Sequence, residues 1–157
     1  MRERYPNWTR PRNRPYRISR VARTVRHFGL RYDYGSRVLR KGDPIPVELT
    51  PVIRRSEEFA NLGNGELVEA IINKYPRGAS LGWHQDAPVY AVIVGVSLGV
   101  AGTIQFRTEA AGEREVFEQF LNARSAYIMR DEVRDNWQHR IPPTKDERAS
   151  LTFRSLR

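Results

Sequence analysis

The chain has 157 residues, 39% of them hydrophobic, with six Phe, seven Tyr and three Trp, and 27 Lys+Arg against 18 Asp+Glu for a net charge of +9. That length and apolar content suffice to bury roughly two-thirds of the unfolded surface in one domain, which excludes wholesale disorder. The absence of cysteine excludes a disulfide framework, Cys-ligated zinc, an iron–sulfur cluster and a thiol nucleophile, so any metal site must be built from His and carboxylate.

The positive charge is confined to one end. Residues 1–40 contain 12 Arg and only Glu3 and Asp33 as acids, a balance of +10, while the remaining 117 residues hold 15 basic and 16 acidic side chains, a balance of −1. Within residues 1–26, Arg10, Arg12, Arg14 and their neighbouring arginines alternate with Tyr5, Trp8, Tyr16, Pro6, Pro11 and Pro15. Guanidinium groups that seek phosphate, interleaved with stacking surfaces on a chain that Pro keeps out of regular structure, describe a nucleic-acid-facing arm over residues 1–19. The plain alternative is a basic tail that only adds solubility. The N-terminus lacks the apolar core of a signal peptide. The longest apolar run, about residues 90–98, is too short to span a bilayer, so the expectation is a cytoplasmic protein with no membrane association.

Along the rest of the chain, residues 49–62 place Leu49, Val52, Ile53, Phe59, Ala60 and Leu62 at helical spacing among Arg and Glu, and Pro51 suits the first turn of that helix. Residues 67–72 fit either a strand or a continuing helix. Short runs rich in Val, Ile, Phe, Tyr and Thr follow at 70–75, 90–98, 103–106, 116–121, 126–129 and 149–153, separated by Gly, Pro and charged residues. The expected class is mainly β with one or two helices, as a sandwich or a double-stranded, jelly-roll-like barrel.

Three histidines are few enough to inspect singly. On a strand, residues i and i+2 point to one face, so His84 and Asp86 in Trp83-His84-Gln85-Asp86 can offer an imidazole and a carboxylate to one ion. His139, 53 residues beyond Asp86, can return on a neighbouring strand and complete two His and one carboxylate, a facial set that suits Fe(II) oxygen chemistry better than closed structural zinc. Taken singly, each histidine is more often a surface or satisfied core residue. The C-terminus alternates strictly, with Arg148, Ser150, Thr152 and Arg154 on one face and Ala149, Leu151 and Phe153 on the other. Two guanidinium groups roughly 20 Å apart along the strand can grip the two ends of a small dianion, or can simply be solvated on an edge strand. Asn73 and Tyr75 share a face just before the turn at 76–78, and both can donate to carboxylate oxygens.

Taken in order, the segments containing Asn73-Lys74-Tyr75-Pro76-Arg77-Gly78, His84-Gln85-Asp86, Val96-Ser97-Leu98-Gly99, Trp137-Gln138-His139 and Arg148 through Arg154 resemble the AlkB family of Fe(II)- and 2-oxoglutarate-dependent dioxygenases. The resemblance covers about residues 20–157, since 27–34 also resembles the segment leading to the family's substrate lid. It implies a double-stranded β-helix, with 20–64 as the substrate-recognition and helical part and 65–157 as the catalytic β core. It also implies iron ligands His84, Asp86 and His139, and a 2-oxoglutarate pocket of Asn73, Tyr75, Arg148, Ser150 and Arg154. In that pocket Arg148 takes the distal carboxylate and Arg154 lies near the carboxylate that chelates iron. Fe(II), 2-oxoglutarate and O2 are the implied cofactor and co-substrates. The implied reaction is hydroxylation or oxidative demethylation of DNA or RNA, with Tyr32 and Tyr34 stacking on an extruded base and Arg10, Arg12 and Arg14 on the strand.

Three positions depart from the family pattern. Pro88 stands where base-repairing members can carry an acidic residue facing the exocyclic amine. Ser150 stands where Asn is often found, and Arg140 where Gly is common. Other readings are the same chemistry on a protein or small molecule, a non-catalytic nucleic-acid-binding β-domain, or a zinc hydrolase on the same three ligands, which leaves the Arg148 and Arg154 pair without a role.

Overall fold

The computed structural model describes residues 21–110 and 113–157. The arm over 1–19, with Arg10, Arg12 and Arg14, lies outside the described residues. Among the described residues the order is β1 (Thr24–Asp33), β2 (Val38–Lys41), α1 (Thr50–Ala60), β3 (Leu67–Tyr75), β4 (Leu81–His84), β5 (Tyr90–Gly99), β6 (Gly102–Ala110), β7 (Glu113–Leu121), β8 (Ala126–Met129), α2 (Asp131–Asn136), β9 (Gln138–Ile141) and β10 (Arg148–Leu156).

The strands form a six-stranded sheet, β2-β1-β3-β10-β5-β8, and a four-stranded sheet, β4-β9-β6-β7. From β3 onward the chain crosses between the two sheets, with only the β6–β7 hairpin staying in one, and this winding is the double-stranded β-helix that the sequence led one to expect. Among the described residues no helix is long and apolar enough to cross a membrane.

Two apolar layers explain the strand patterns. Between the sheets lie Tyr75, Ile93, Ile104, Phe106, Leu121, Met129 and Ile141. On the outer side of the large sheet, Ala70, Val94, Leu151 and Phe153 pack beneath α1, which contributes Val52, Ile53 and Ala60. A sheet covered on both faces needs apolar residues on both, which is why β3 and β5 read as near-continuous apolar runs. The ambiguous 67–72 stretch is accordingly strand: α1 has already ended at Asn61, whose φ of 53° is left-handed. The buried Glu57 carboxylate accepts the amides of Gly65 at 2.8 Å and Leu67 at 3.2 Å and so ties the helix to the start of β3. Pro51 sits in the first turn of α1, where no intrahelical N–H is required.

β1 and β2 were not among the expected strands. β1 pairs along β3 from Thr24 opposite Lys74 to Gly29 opposite Glu69, so sheet structure begins well before residue 65. Arg26, His27 and Arg31 break its apolar run because only β2, whose residues are all exposed, lies outside it.

Candidate active site

β10 settles the question its alternation raised. It is not an edge strand: it lies between β3 and β5, with Ser150 opposite Asn73 on one side and Ser97 on the other. Its apolar face, Leu151 and Phe153, joins the layer under α1. Its polar face, Arg148, Ser150, Thr152 and Arg154, lines a cavity of about 260 Å³ between the sheets together with Asn73, Tyr75, His84, Asp86 and His139. That volume is below the span typical of drug-sized ligands and suits a small polar molecule. A larger groove of about 870 Å³ opens between β7 and β8, but it is lined mainly by apolar residues such as Phe106, Phe117 and Trp137 and contains none of these candidates. The chemistry is therefore in the smaller cavity.

The three candidate ligands converge there. His84 ends β4, Asp86 follows it in the loop, and His139 lies opposite His84 in register on β9. One donor atom from each lies within 4.8 Å of the others, and the two imidazole centroids are 4.2 Å apart. Nδ1 of His84 is 2.8 Å from the Gly82 carbonyl oxygen. Donation there leaves Nε2 with a lone pair directed at the cluster. His139 Nε2 is 3.5 Å from an Asp86 carboxylate oxygen. Burial would raise the Asp86 pKa, but the Arg154 guanidinium, then His139 and His84, hold it below the ordinary value. Burial and the neighbouring His84 lower His139 to about 3, so it is a neutral donor at physiological pH. Two imidazoles and one carboxylate on one side of a cavity fit a divalent transition metal with open positions.

The second half of the site fits a dicarboxylate. Arg148 is 3% exposed. Its Nη2 donates to Ser97 Oγ at 2.8 Å, its guanidinium stands 5.5 Å from the centre of the Tyr75 ring, and its buried Nε has no hydrogen-bond acceptor among the described residues. A Cβ at Gly102 would come 2.9 Å from that Nε, so the absent side chain makes the seat of the guanidinium. Burial raises the Tyr75 hydroxyl pKa, and Ser150 is its hydrogen-bond partner. At the other end Arg154 donates to Glu69 at 3.0 Å and to Asp86, which puts one guanidinium at each end of the polar face. Cations at both ends and a hydroxyl pair near one of them are what a dianion needs.

Of the remaining candidates, Tyr32 and Tyr34 lie at the mouth. Tyr34 lines the same cavity and meets Tyr32 edge-on, with centroids 5.1 Å apart and planes at 88°. Trp83 turns to the outer face of the small sheet, where Arg107 and Arg140 lie 4.5 and 4.6 Å from its ring centre. It is a packing group. Arg140, where the family commonly has Gly, joins the same outer layer and bonds Gln105 at 2.6 Å, so it does not intrude on the site.

Four residues of the site were not anticipated from sequence. Arg23 on the approach to β1 donates to Asn73 Oδ1. Glu69, His27 and Tyr90 surround Arg154. Only Glu69 left a signal, as an acid in phase with Ile71, Asn73 and Tyr75 amid an apolar run.

The buried histidine sets the sign of a pH response. An unfolded histidine titrates near 6.5 whereas His139 stays neutral to about 3, so between those values the unfolded chain binds a proton that the native chain refuses, and metal-free stability falls as the pH falls below 6.5. Chemical-denaturation midpoints should drop between pH 7 and pH 5 in the wild type and drop less in His139→Gln. Identical midpoints across that range would refute it.

A family model described as 2OG-Fe(II) oxygenase superfamily matches residues 2–157. The chain is 27% identical over 177 residues to the alkylated DNA repair protein ALKBH8 homolog of Arabidopsis thaliana, covering 89% of this chain and 51% of that one. It is 30% identical over 146 residues to the Mus musculus tRNA (carboxymethyluridine(34)-5-O)-methyltransferase ALKBH8, covering 88% of this chain and 21% of that one. The chain thus spans half the length, or less, of these curated relatives. Its fold matches the solved structure of OsALKBH1 with a TM-score of 0.59 at 17% identity, over 86% of this chain and 80% of the other. With a facial His-Asp-His set and a cationic pocket inside a double-stranded β-helix, the chain belongs to the 2OG-Fe(II) oxygenase superfamily, whose members use Fe(II), 2-oxoglutarate and O2.

Proposed function

We propose that this domain hydroxylates or oxidatively demethylates alkylated nucleic acid, with residues 20–157 as the catalytic unit, 1–19 as an arm that follows the phosphate backbone, and the cytoplasm as its place of action. The observation that carries the chemistry is the convergence of His84, Asp86 and His139 with Arg148 and Arg154 on one small cavity. The polyanion reading is supported by the +10 balance of residues 1–40, by the tyrosine pair at the mouth, and by the names of the ALKBH8 relatives.

In this reading His84, Asp86 and His139 hold Fe(II). Arg148, with Tyr75 and Ser150, holds the distal carboxylate of 2-oxoglutarate, and Asn73 and Arg154 hold its other end. When bound, these groups would couple insertion of one oxygen atom of O2 into a substrate C–H to oxidation of 2-oxoglutarate by the other, giving succinate and CO2, and a hydroxylated N-methyl group then leaves as formaldehyde. The protein's own work is orientation and exclusion of water. Tyr34 and Tyr32 offer ring surface for an extruded base.

The loop after Asp86 bears on which base. It reads Ala87, Pro88, Val89, with no carboxylate. The Ala87 carbonyl oxygen is taken by Arg134, and that of Pro88 by Arg157 at 2.7 Å. This loop therefore does not favour substrates read through an exocyclic amine, and it is what supports a second reading, a protein or small-molecule substrate.

The test is release of succinate and formaldehyde from the full chain with Fe(II), ascorbate and 2-oxoglutarate, with and without a pool of methylated DNA and RNA oligonucleotides, using His84→Ala as the blank. Oligonucleotide-dependent formaldehyde in near-equal amount to succinate, absent in the blank, is the expected result. Succinate without stimulation moves the substrate to the second reading. Neither succinate nor 2-oxoglutarate binding leaves a non-catalytic domain.

A further inference from the structure

Glu69 is a fully buried acid, and nothing in the chemistry above uses it. Its side chain on β3 receives Arg154 Nη1 at 3.0 Å, faces His27 Nδ1 at 3.1 Å and hydrogen-bonds the Tyr90 hydroxyl. That hydroxyl also accepts the Tyr32 amide at 3.0 Å. Arg154 lies 4.8 Å from the centre of the Tyr90 ring and gives its other nitrogen, Nη2, to Asp86. One hydrogen-bonded chain thus runs from the strand that carries Tyr32 to the ligand carboxylate.

The charges along that chain pose a problem that Glu69 solves. A divalent cation between His84, Asp86 and His139 has a single protein anion to meet, and that anion is already bonded to a guanidinium. Arg134, 5% exposed and electrostatically coupled to Asp86, adds a second nearby cation. Asp86, Arg154 and Arg134 together sum to +1, a poor seat for a dication in a buried, weakly screened place. Burial raises the pKa of Glu69, but His27 and Arg154 hold it below the ordinary value, so it is ionised and restores one negative charge.

Resting on the metal-site reading above, we propose that Glu69 is a positioning residue that holds Arg154 between two carboxylates, leaving Asp86 enough negative charge to bind the metal while Arg154 faces the co-substrate. The consequence has opposite signs for the two ligands. Removing the Glu69 charge weakens the dication, and the same uncompensated Arg154 favours the dianion. A merely structural residue would weaken both.

The experiment is titration of the metal-free full chain with Co(II) alone, followed by its visible absorption bands, and calorimetric titration of 2-oxoglutarate at saturating Mn(II), for the wild type, Glu69→Gln and Glu69→Asp. Expected is a loss of Co(II) affinity in Glu69→Gln of roughly 10-fold or more, the scale on which outer-shell partners act, with 2-oxoglutarate affinity unchanged or improved. Glu69→Asp keeps the charge and should bind Co(II) within about threefold of the wild type on the same scale. Equal Co(II) affinity in Glu69→Gln, or parallel loss of both ligands, overturns the proposal. If Glu69→Gln does not fold, Glu69→Asp decides, and a tenfold Co(II) loss there overturns the charge account. A wild type that binds no Co(II) fails the metal-site reading itself, which is a separate result.

Discussion

Asp86→Ala should lower succinate formation by roughly a thousandfold while the protein stays folded. A bound metal contributes several kcal/mol to such a reaction and each decade of rate is about 1.4 kcal/mol, so removing the only anion among the three candidate ligands costs about three decades. Deleting one member of a buried ion pair ordinarily destabilises by leaving the partner charge unpaired. Here Arg154 retains Glu69 at 3.0 Å, and burial of the Asp86 carboxylate was itself unfavourable. The melting temperature should therefore move by only a few degrees, on the order of 1 kcal/mol for a chain of this size. Co(II) binding measured beside the activity separates the two effects: activity and Co(II) affinity fall together while circular dichroism is unchanged. Activity within tenfold of the wild type would remove Asp86 from the ligand set.

The site was legible where a strand's period of two met an unusual residue. Arg148, Ser150, Thr152 and Arg154 in strict alternation made a polar face that the structure turns into the cavity, whereas Asp86, expected beside His84 on one strand, reaches the cavity from the loop after β4. The helix was legible from its spacing and from Pro51, and most core strands from their β-branched runs. β1 was not, because a strand with one exposed neighbour carries Arg and His where a central strand carries Ile and Val, and its identity depends on pairing with β3, which no local pattern encodes. The residues around Arg154 were hidden for a related reason. His27, Glu69 and Tyr90 come from three strands and meet through sheet order alone. Arg23 belongs to the same case, since the arginine-rich stretch around it masks a guanidinium that reaches Asn73.

Gly29→Ala should be the most damaging of the small substitutions, lowering the melting temperature by roughly 10 °C, or about 3–5 kcal/mol at this chain length. Two separate causes add. Gly29 has a φ of +81°, where an L side chain is strained, and a Cβ there would lie 2.1 Å from the Val68 carbonyl oxygen, a backbone atom that cannot rotate away. The position is also pinned on both sides, its amide donating to Asp43 at 2.7 Å and its carbonyl accepting Gly42 at 2.8 Å. The clash can be relieved only by moving β1 off β3, which would carry His27 away from Glu69. Gly65→Ala isolates the first cause, because its φ is +84° with nothing within 4 Å of the added Cβ; strain alone of about 1 kcal/mol should lower its melting temperature by roughly 2–4 °C. Differential scanning calorimetry of the two variants side by side measures the difference, and equal shifts would show that the close approach to Val68 does not constrain β1.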